Sequence, residues 1–326
     1  MGEDLHVVFG SGPAGRAVAT ELMGRGLPAR IVNRSGRPVL ADVETIGGDV
    51  TDPQFAHTAA HGAHTVYFCL NAPHYHRWPE EFPPLQAAVL DATSAARARL
   101  VVLENLYMYG PTGGAPMTES TPVNPTSKKS AARARMSDEL MDAHRQGRVE
   151  VTIARAADFI GPGVTASALG EHVFEPALAG KKAQTIGRPD TLHSYSYVPD
   201  IGRNLVLLGS RDDAFGRVWH LPNPPTRTTR EIITDIYAAL DQPARITVLN
   251  KPMLRAIGLV NRDVNRDVHE LLSTYYQFDA PFIADHTAFT TAYGGHITDW
   301  NEIIHTTIES YRHPAPAHAD AATPSH

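Results

Sequence analysis

The stretch VVFGSGPAGRAVATEL, residues 7–22, decides how the rest of the chain is read. An apolar run (Val7, Val8, Phe9) meets Gly10, Gly12 and Gly15, after which apolar residues recur at helical spacing. Strand, glycine turn and helix, in that order, form the setting in which G-x-G-x-x-G cradles a dinucleotide pyrophosphate. The first glycine permits the tight turn, the second lets backbone approach the phosphates, and the third lets helix pack on strand. The helix N-terminus then faces the anion. Gly10, Gly12, Pro13, Ala14 and Gly15 are therefore the expected phosphate-end contacts.

Outward from this turn, short apolar runs alternate with helical stretches. Strands are predicted at 5–10, 29–34, 43–50, 65–70, 99–105 and 149–163, and helices at 14–26, 53–62, 83–98 and 127–147. Such alternation means right-handed βαβ units and a parallel sheet, so the expected fold is α/β, a Rossmann doubly wound sheet. After about residue 165 the alternation breaks up. Helices are predicted at 168–187, 230–242 and 251–279, with short strands at 195–198, 217–221 and 244–250. The expected organisation is a dinucleotide-binding core over 1–165 and a smaller substrate-binding region over 166–312, part of which returns to the core sheet. A tail, 313–326, rich in Pro, Ala and His, has no apolar periodicity.

The second strand ends in IVNRSGR. Asn33 stands where NAD-binding folds usually offer a carboxylate to the ribose 2′-hydroxyl, and Arg34 and Arg37 follow. Loss of the carboxylate removes repulsion against a 2′-phosphate, and a guanidinium can fork onto it, so NADP(H) is expected over NAD(H). Asp49 and Val50 after the third strand, and Leu70 and Asn71 after the fourth, complete the expected cofactor contacts.

The 326 residues are 42% apolar, with a net charge of −6 spread over mixed signs, enough for a large core and unsuited to nucleic acid or an anionic membrane. A small-molecule substrate is expected. One cysteine, Cys69, excludes an internal disulfide and cysteine-based metal clusters, and suits a reducing compartment. MGEDLHVVFGSG runs straight into a strand without an export signal, so the cytoplasm is the expected location.

The segments GSGPAG, GDVTD, NLYMYGP, MTESTPVNP, IARAADFIGPG, YSYVPDIGRNLVLL and DHTAFTTAYGGHITDWNEII, in this order, make residues 5–312 resemble the extended and atypical short-chain dehydrogenase/reductases, the NAD-dependent epimerase/dehydratase group. That resemblance implies a Ser or Thr four residues ahead of the Tyr of a V-Y-G segment, and a tyrosine and lysine four apart on the next helix. Here Asn105 takes the hydroxyl position ahead of Tyr109. Lys129 replaces the tyrosine, and Arg133 replaces the lysine that would hold the cofactor ribose. All three identities have changed. Asn105 is left to donate an amide hydrogen bond to a developing alkoxide, Lys129 or Tyr107 to supply a charge or proton, and Arg133 to contact the cofactor. Equally, residues 128, 129, 133 and 135 form a basic band of the kind that faces water. If extended, NLYMYG would present Tyr107 and Tyr109 on one face.

The substrate pocket is expected from 71–84, 158–163 and 192–200, which carry His74, Tyr75, Trp78, Phe159, His193, Tyr195 and Tyr197. Aromatic lining with few fixed charges suits a flat hydrophobic ligand. His57, His61 and His64 fall at helical spacing, but nothing completes a ligand set and no metal is expected. The leading expectation is an NADPH-dependent ketoreductase for a hydrophobic or aromatic carbonyl in natural-product (antibiotic) biosynthesis. The alternatives are an epimerase, dehydratase or isomerase that retains its nucleotide, and a non-catalytic NADP-binding sensor. A homodimer through the helices before residues 98 and 147 is what the resemblance implies.

Overall fold

A computed structural model describes residues 4–313, apart from 73, 75, 76, 261–267, 269 and 270. Its centre is a seven-stranded, wholly parallel sheet. The strands are β1 (Leu5–Phe9), β2 (Ala29–Asn33), β3 (Glu44–Gly47), β4 (Ala63–Phe68), β5 (Arg99–Glu104), β6 (Val151–Arg155) and, much later in the chain, Val218–His220. They lie in the order Val218–His220, β6, β5, β4, β1, β2, β3. The order reverses between β1 and β4, and doubly wound sheets open a ligand crevice at such a point, outside the carboxyl ends of the strands. The Rossmann sheet expected from the alternation is present.

Both faces of the sheet are covered. Helices α1 (Pro13–Gly24) and α6 (Val198–Gly209) bury Val18, Leu22, Ile201, Leu205 and Leu208 against Val8, Ile31 and Val101. On the other face α2 (Pro53–Ala60), α3 (Trp78–Ala96) and α4 (Lys128–Arg145) bury Ala56, Val89 and Leu140 against Val7, Val66 and Val102. Each wholly buried Val, Leu and Ile among these contributes about 1.5–3 kcal/mol, which explains why the strands read as continuous apolar runs. A third cluster joins α5 (Glu171–Leu178), α7 (Thr229–Ala238) and helix Trp300–Arg312 through Phe174, Ile232, Ile236 and Ile303.

Several boundaries differ from the periodicity. The helix expected from 83 starts at Trp78 and carries Pro83 and Pro84 inside it. The strand expected over 149–163 is two, β6 and β7 (Asp158–Ile160), because the chain leaves the main sheet to pair β7 with Tyr195–Tyr197. The helix expected over 168–187 ends at Leu178; Gly180 turns at φ 67°, and β8 (Ala183–Ile186) pairs with Ile246–Leu249. Of the helix expected over 251–279, Lys251–Val260 is helical and Tyr275–Phe278 forms a 3-10 turn. His57, His61 and His64 do not share a helix: α2 ends at Ala60, and His64 sits on β4. Among the described residues no group of three His, Cys, Asp or Glu side chains is placed to hold a metal ion, and no helix is long and apolar enough to cross a membrane.

Candidate active site

Gly10 leaves β1 with φ 114°, and a Cβ there would lie 2.6 Å from the Cys69 carbonyl oxygen at the end of β4. At Gly15 a Cβ would lie 2.0 Å from the Gly10 carbonyl oxygen, so the turn and α1 close on each other without room for a methyl group. Gly12 is the reverse: its φ is −68°, and a Cβ would meet nothing within 4 Å. Two glycines are thus demanded by packing, while the third faces open space at the helix N-terminus. Pro13 holds the first helical position, where its missing N–H costs nothing. The Arg16 Nε donates to the Ser11 carbonyl at 2.9 Å and pins the turn from behind. This cradle fits a pyrophosphate, which Gly12 and the first turn of α1 would hold.

At the end of β2 the structure corrects the expectation for Asn33. Its amide is buried and already engaged: Nδ2 donates to the Arg37 carbonyl at 3.0 Å, and Oδ1 accepts from Gly36 N at 2.7 Å. Asn33 therefore shapes the loop, leaving Arg34 and Arg37 exposed upon it. The Asp49 carboxylate accepts from the Thr51 hydroxyl and amide at 2.7 and 2.9 Å, and these bonds hold it below the usual carboxylate range. Val50 is core, Leu70 is half-buried at the end of β4, and Asn71 is exposed, its Oδ1 accepting from Ala72 N.

The basic band on α4 divides. Lys128 and Arg135 face water, whereas Lys129 and Arg133 are each 2% exposed. A reciprocal capping box between Ser127 and Ser130 fixes the entry of the helix and so directs that inner face. The Arg133 guanidinium lies 4.8 Å from the Phe82 ring centroid and 6.0 Å from that of Trp78. Its Nη2 is 3.9 Å from Glu104 Oε1. Asn105 follows Glu104 and accepts from Tyr107 N through Oδ1, which turns the chain into a 3-10 turn over Tyr107–Tyr109. The two tyrosines consequently do not share a face as an extended segment would require. Tyr107 packs near Trp78, and Tyr109 is buried in a separate cluster with Leu106 and Phe282.

A polar chain that sequence reasoning did not select runs across the sheet at this end. Glu104, Arg155 and His220 close three neighbouring strands and stand in register. Arg155 donates to Glu104 Oε2 at 3.2 Å, to the Tyr109 hydroxyl at 2.6 Å and to Ser137 Oγ at 2.8 Å. The Tyr109 hydroxyl, already an acceptor, must donate to His220 Nε2 at 2.7 Å, and His220 Nδ1 then donates to the Asp285 carbonyl at 3.0 Å. His220 is thereby held neutral: burial, then the Arg155 charge, lower its pKa to about 4. A signal existed, since RLVVLE, VTIAR and VWH each end an apolar strand on a polar residue.

The expected aromatic substrate lining is largely interior. Tyr195 is 1% exposed and shares a hydrogen bond with Thr229 at 2.9 Å; Tyr197 is 4% exposed and bonds Thr306 at 2.8 Å. His193 is buried, bonded to Asp158 at 2.9 Å and stacked on Phe278 at 5.3 Å. These three belong to the interior of the C-terminal region, where β9 (Tyr195–Tyr197) runs directly into α6. Phe159 is half-buried against the core on the α1–α6 side. Trp78 stays beside Tyr107 and Arg133, His74 is exposed and bonded to Glu81 at 3.0 Å, and Tyr75 lies outside the described residues.

Residues 7–220 match the model of the NAD dependent epimerase/dehydratase family, and the chain belongs to it. No functionally curated protein matches the sequence. Solved structures share its fold at low identity. A dTDP-glucose 4,6-dehydratase from Bacillus anthracis in complex with NAD is 13% identical over 95% of this chain and 96% of that one, with a TM-score of 0.77. The Streptomyces venezuelae dTDP-glucose 4,6-dehydratase DesIV, as a double mutant with NAD bound, is 16% identical over 95% and 97%, with a TM-score of 0.76. UDP-glucose 4-epimerase of Thermotoga maritima with UDP-glucose is 16% identical over 94% and 98%, with a TM-score of 0.75.

Proposed function

We propose that this chain is a nicotinamide dinucleotide-dependent enzyme of the epimerase/dehydratase kind, removing hydride from a hydroxyl-bearing carbon and returning it within one turnover. The observation that carries the reading is the glycine turn, closed by packing at Gly10 and Gly15 and open at Gly12 beside the N-terminus of α1. The bound dinucleotide supplies hydride acceptance; the protein orients the substrate and holds its protons. Nucleotide-linked sugars are the substrate class to try first, since the similar Thermotoga maritima epimerase is solved with UDP-glucose. Net reduction of an aromatic ketone loses its footing, because Tyr195, Tyr197 and His193 lie in the interior. In this reading Asn105 after β5, Tyr107 in the 3-10 turn and Lys129 in the first turn of α4 are the candidate groups for the chemistry.

A preference for NADP(H) is proposed from the loop that Asn33 holds, which presents Arg34 and Arg37 where a carboxylate would repel a 2′-phosphate. A dimer through α3 and α4 is proposed on family analogy and is read by light scattering.

Calorimetric titration with NAD and NADP, followed by mass and NMR analysis of nucleotide sugars incubated with the loaded protein, tests the reading. Dehydrated or epimerised product is expected. Consumption of NADPH by aromatic ketones alone would restore the reductase, and tight binding without turnover of either class would favour a sensor. Gly12→Ala should keep the fold yet weaken dinucleotide binding, because its methyl group enters the open face; unchanged affinity would remove the phosphate from this turn.

A further inference from the structure

Arg133 is a buried cation with unfinished bonding. Its Nε and Nη1 have no hydrogen-bond partner among the described residues, nor has Glu104 Oε1. The remaining nitrogen, Nη2, stands 3.9 Å from that oxygen, beyond hydrogen-bond reach. Glu104 is meanwhile bonded to Arg155, whose three nitrogens are all engaged. Two guanidinium charges thus share one carboxylate. A guanidinium cannot shed its proton to escape burial, and an incompletely paired buried charge costs several kcal/mol.

The guanidinium lies near Glu104, the last residue of β5, at the end of the sheet where doubly wound folds take ligands. Arg133 also lies one turn after Lys129 on the buried face of α4. Phe82 and Trp78 cover the guanidinium. Planar N–H donors in such a setting match the oxygens of a carboxylate or phosphoryl group better than neutral sugar hydroxyls.

We propose that Arg133 is an oxyanion-recognition residue at the carboxyl end of β5, selecting a substrate that carries a carboxylate or phosphoryl group, with Glu104 steadying the guanidinium between turnovers. The proposal rests on the enzyme reading above and narrows its substrate class.

The test uses the full chain saturated with whichever of NAD and NADP it binds more tightly, titrated with inorganic phosphate and, separately, oxalate, and followed by calorimetry and thermal unfolding. Wild-type protein should bind one of the two and gain thermal stability, and which one it binds distinguishes phosphoryl from carboxylate. Arg133→Met should bind that anion at least about tenfold more weakly, the loss of one charge-assisted hydrogen bond, while its own unfolding temperature holds or rises. Arg133→Lys should fall between the two, and Arg133→Gln provides the same comparison if the methionine variant does not fold. Equal anion binding by wild type and variant, or none by wild type, overturns the proposal. An equal loss of NAD affinity in Arg133→Met would assign the residue to the cofactor and overturn it as well. Failure of any dinucleotide to bind wild type sinks the enzyme reading instead. The anion comparison then remains readable without a dinucleotide, because wild type and variant differ only at residue 133.

Discussion

Two arginines flank Glu104, and they are bonded to opposite degrees. Arg155 arrives at the end of β6 and finds an acceptor for each nitrogen: Glu104, Tyr109 and Ser137. Arg133 arrives from α4 and meets aromatic faces and a carboxylate edge just out of reach. Burial is nearly the same for both, so burial does not explain the difference. What differs is the supply of acceptors. The strand-end arginine belongs to a closed network that knits β5, β6 and the strand Val218–His220, whereas the helix arginine keeps donors in reserve.

The largest expected effect falls on the closed side. Arg155→Met leaves Glu104 without its hydrogen-bonded partner and frees the Tyr109 and Ser137 oxygens, and should cost about 3–5 kcal/mol in denaturant unfolding. A loss below 1 kcal/mol would erase the contrast between the two arginines. Next comes pH. In the unfolded chain His220 takes up its proton near pH 6.5, but in the folded protein only near 4. Its contribution to stability is therefore complete above about pH 6.5 and is lost as pH falls toward 4. At most about 3 kcal/mol is involved. His220→Gln should flatten that part of the stability–pH curve, although His6, also lowered to about 4, keeps part of the slope. An unchanged curve would mean that His220 is not held neutral.

Tyr109→Phe removes the hydroxyl that joins Arg155 to His220 and strands a donor on one side and an acceptor on the other. A loss of about 1–3 kcal/mol is expected from equilibrium unfolding. The smallest effect belongs to Arg133→Met, within about 1 kcal/mol of wild type or in the stabilising direction, because an apolar chain of similar length replaces an incompletely paired charge. A loss as large as that of Arg155→Met would make the two residues equivalent and both structural.

Much of the fold was legible in the sequence. The run from Val7 to Leu22 announces strand, turn and helix through period and glycine spacing alone, and each of those signals is local. Gly10 and Gly15 could be expected to be glycine because the turn leaves no room for Cβ. The second half was less legible. The segment 168–187 reads as one helix until Gly180 breaks it and β8 finds a partner more than sixty residues later, which no local pattern contains. The aromatics of LHSYSYVPD look alike whether they line a pocket or fill a core; Tyr195 and Tyr197 fill one, because α7 and helix Trp300–Arg312 close over them with Thr229 and Thr306.

The sequence by itself determined a doubly wound sheet, its glycine turn and the presence of two cations, Lys129 and Arg133, four apart on one helix, since periodicity, turn chemistry and residue identity are written along the chain. Tertiary structure alone decided that those two cations turn inward while Lys128 and Arg135 face water, and that Glu104 is shared with Arg155. Which face of a helix is buried, and what charge it meets there, depends on the strands and helices that other parts of the chain bring against it.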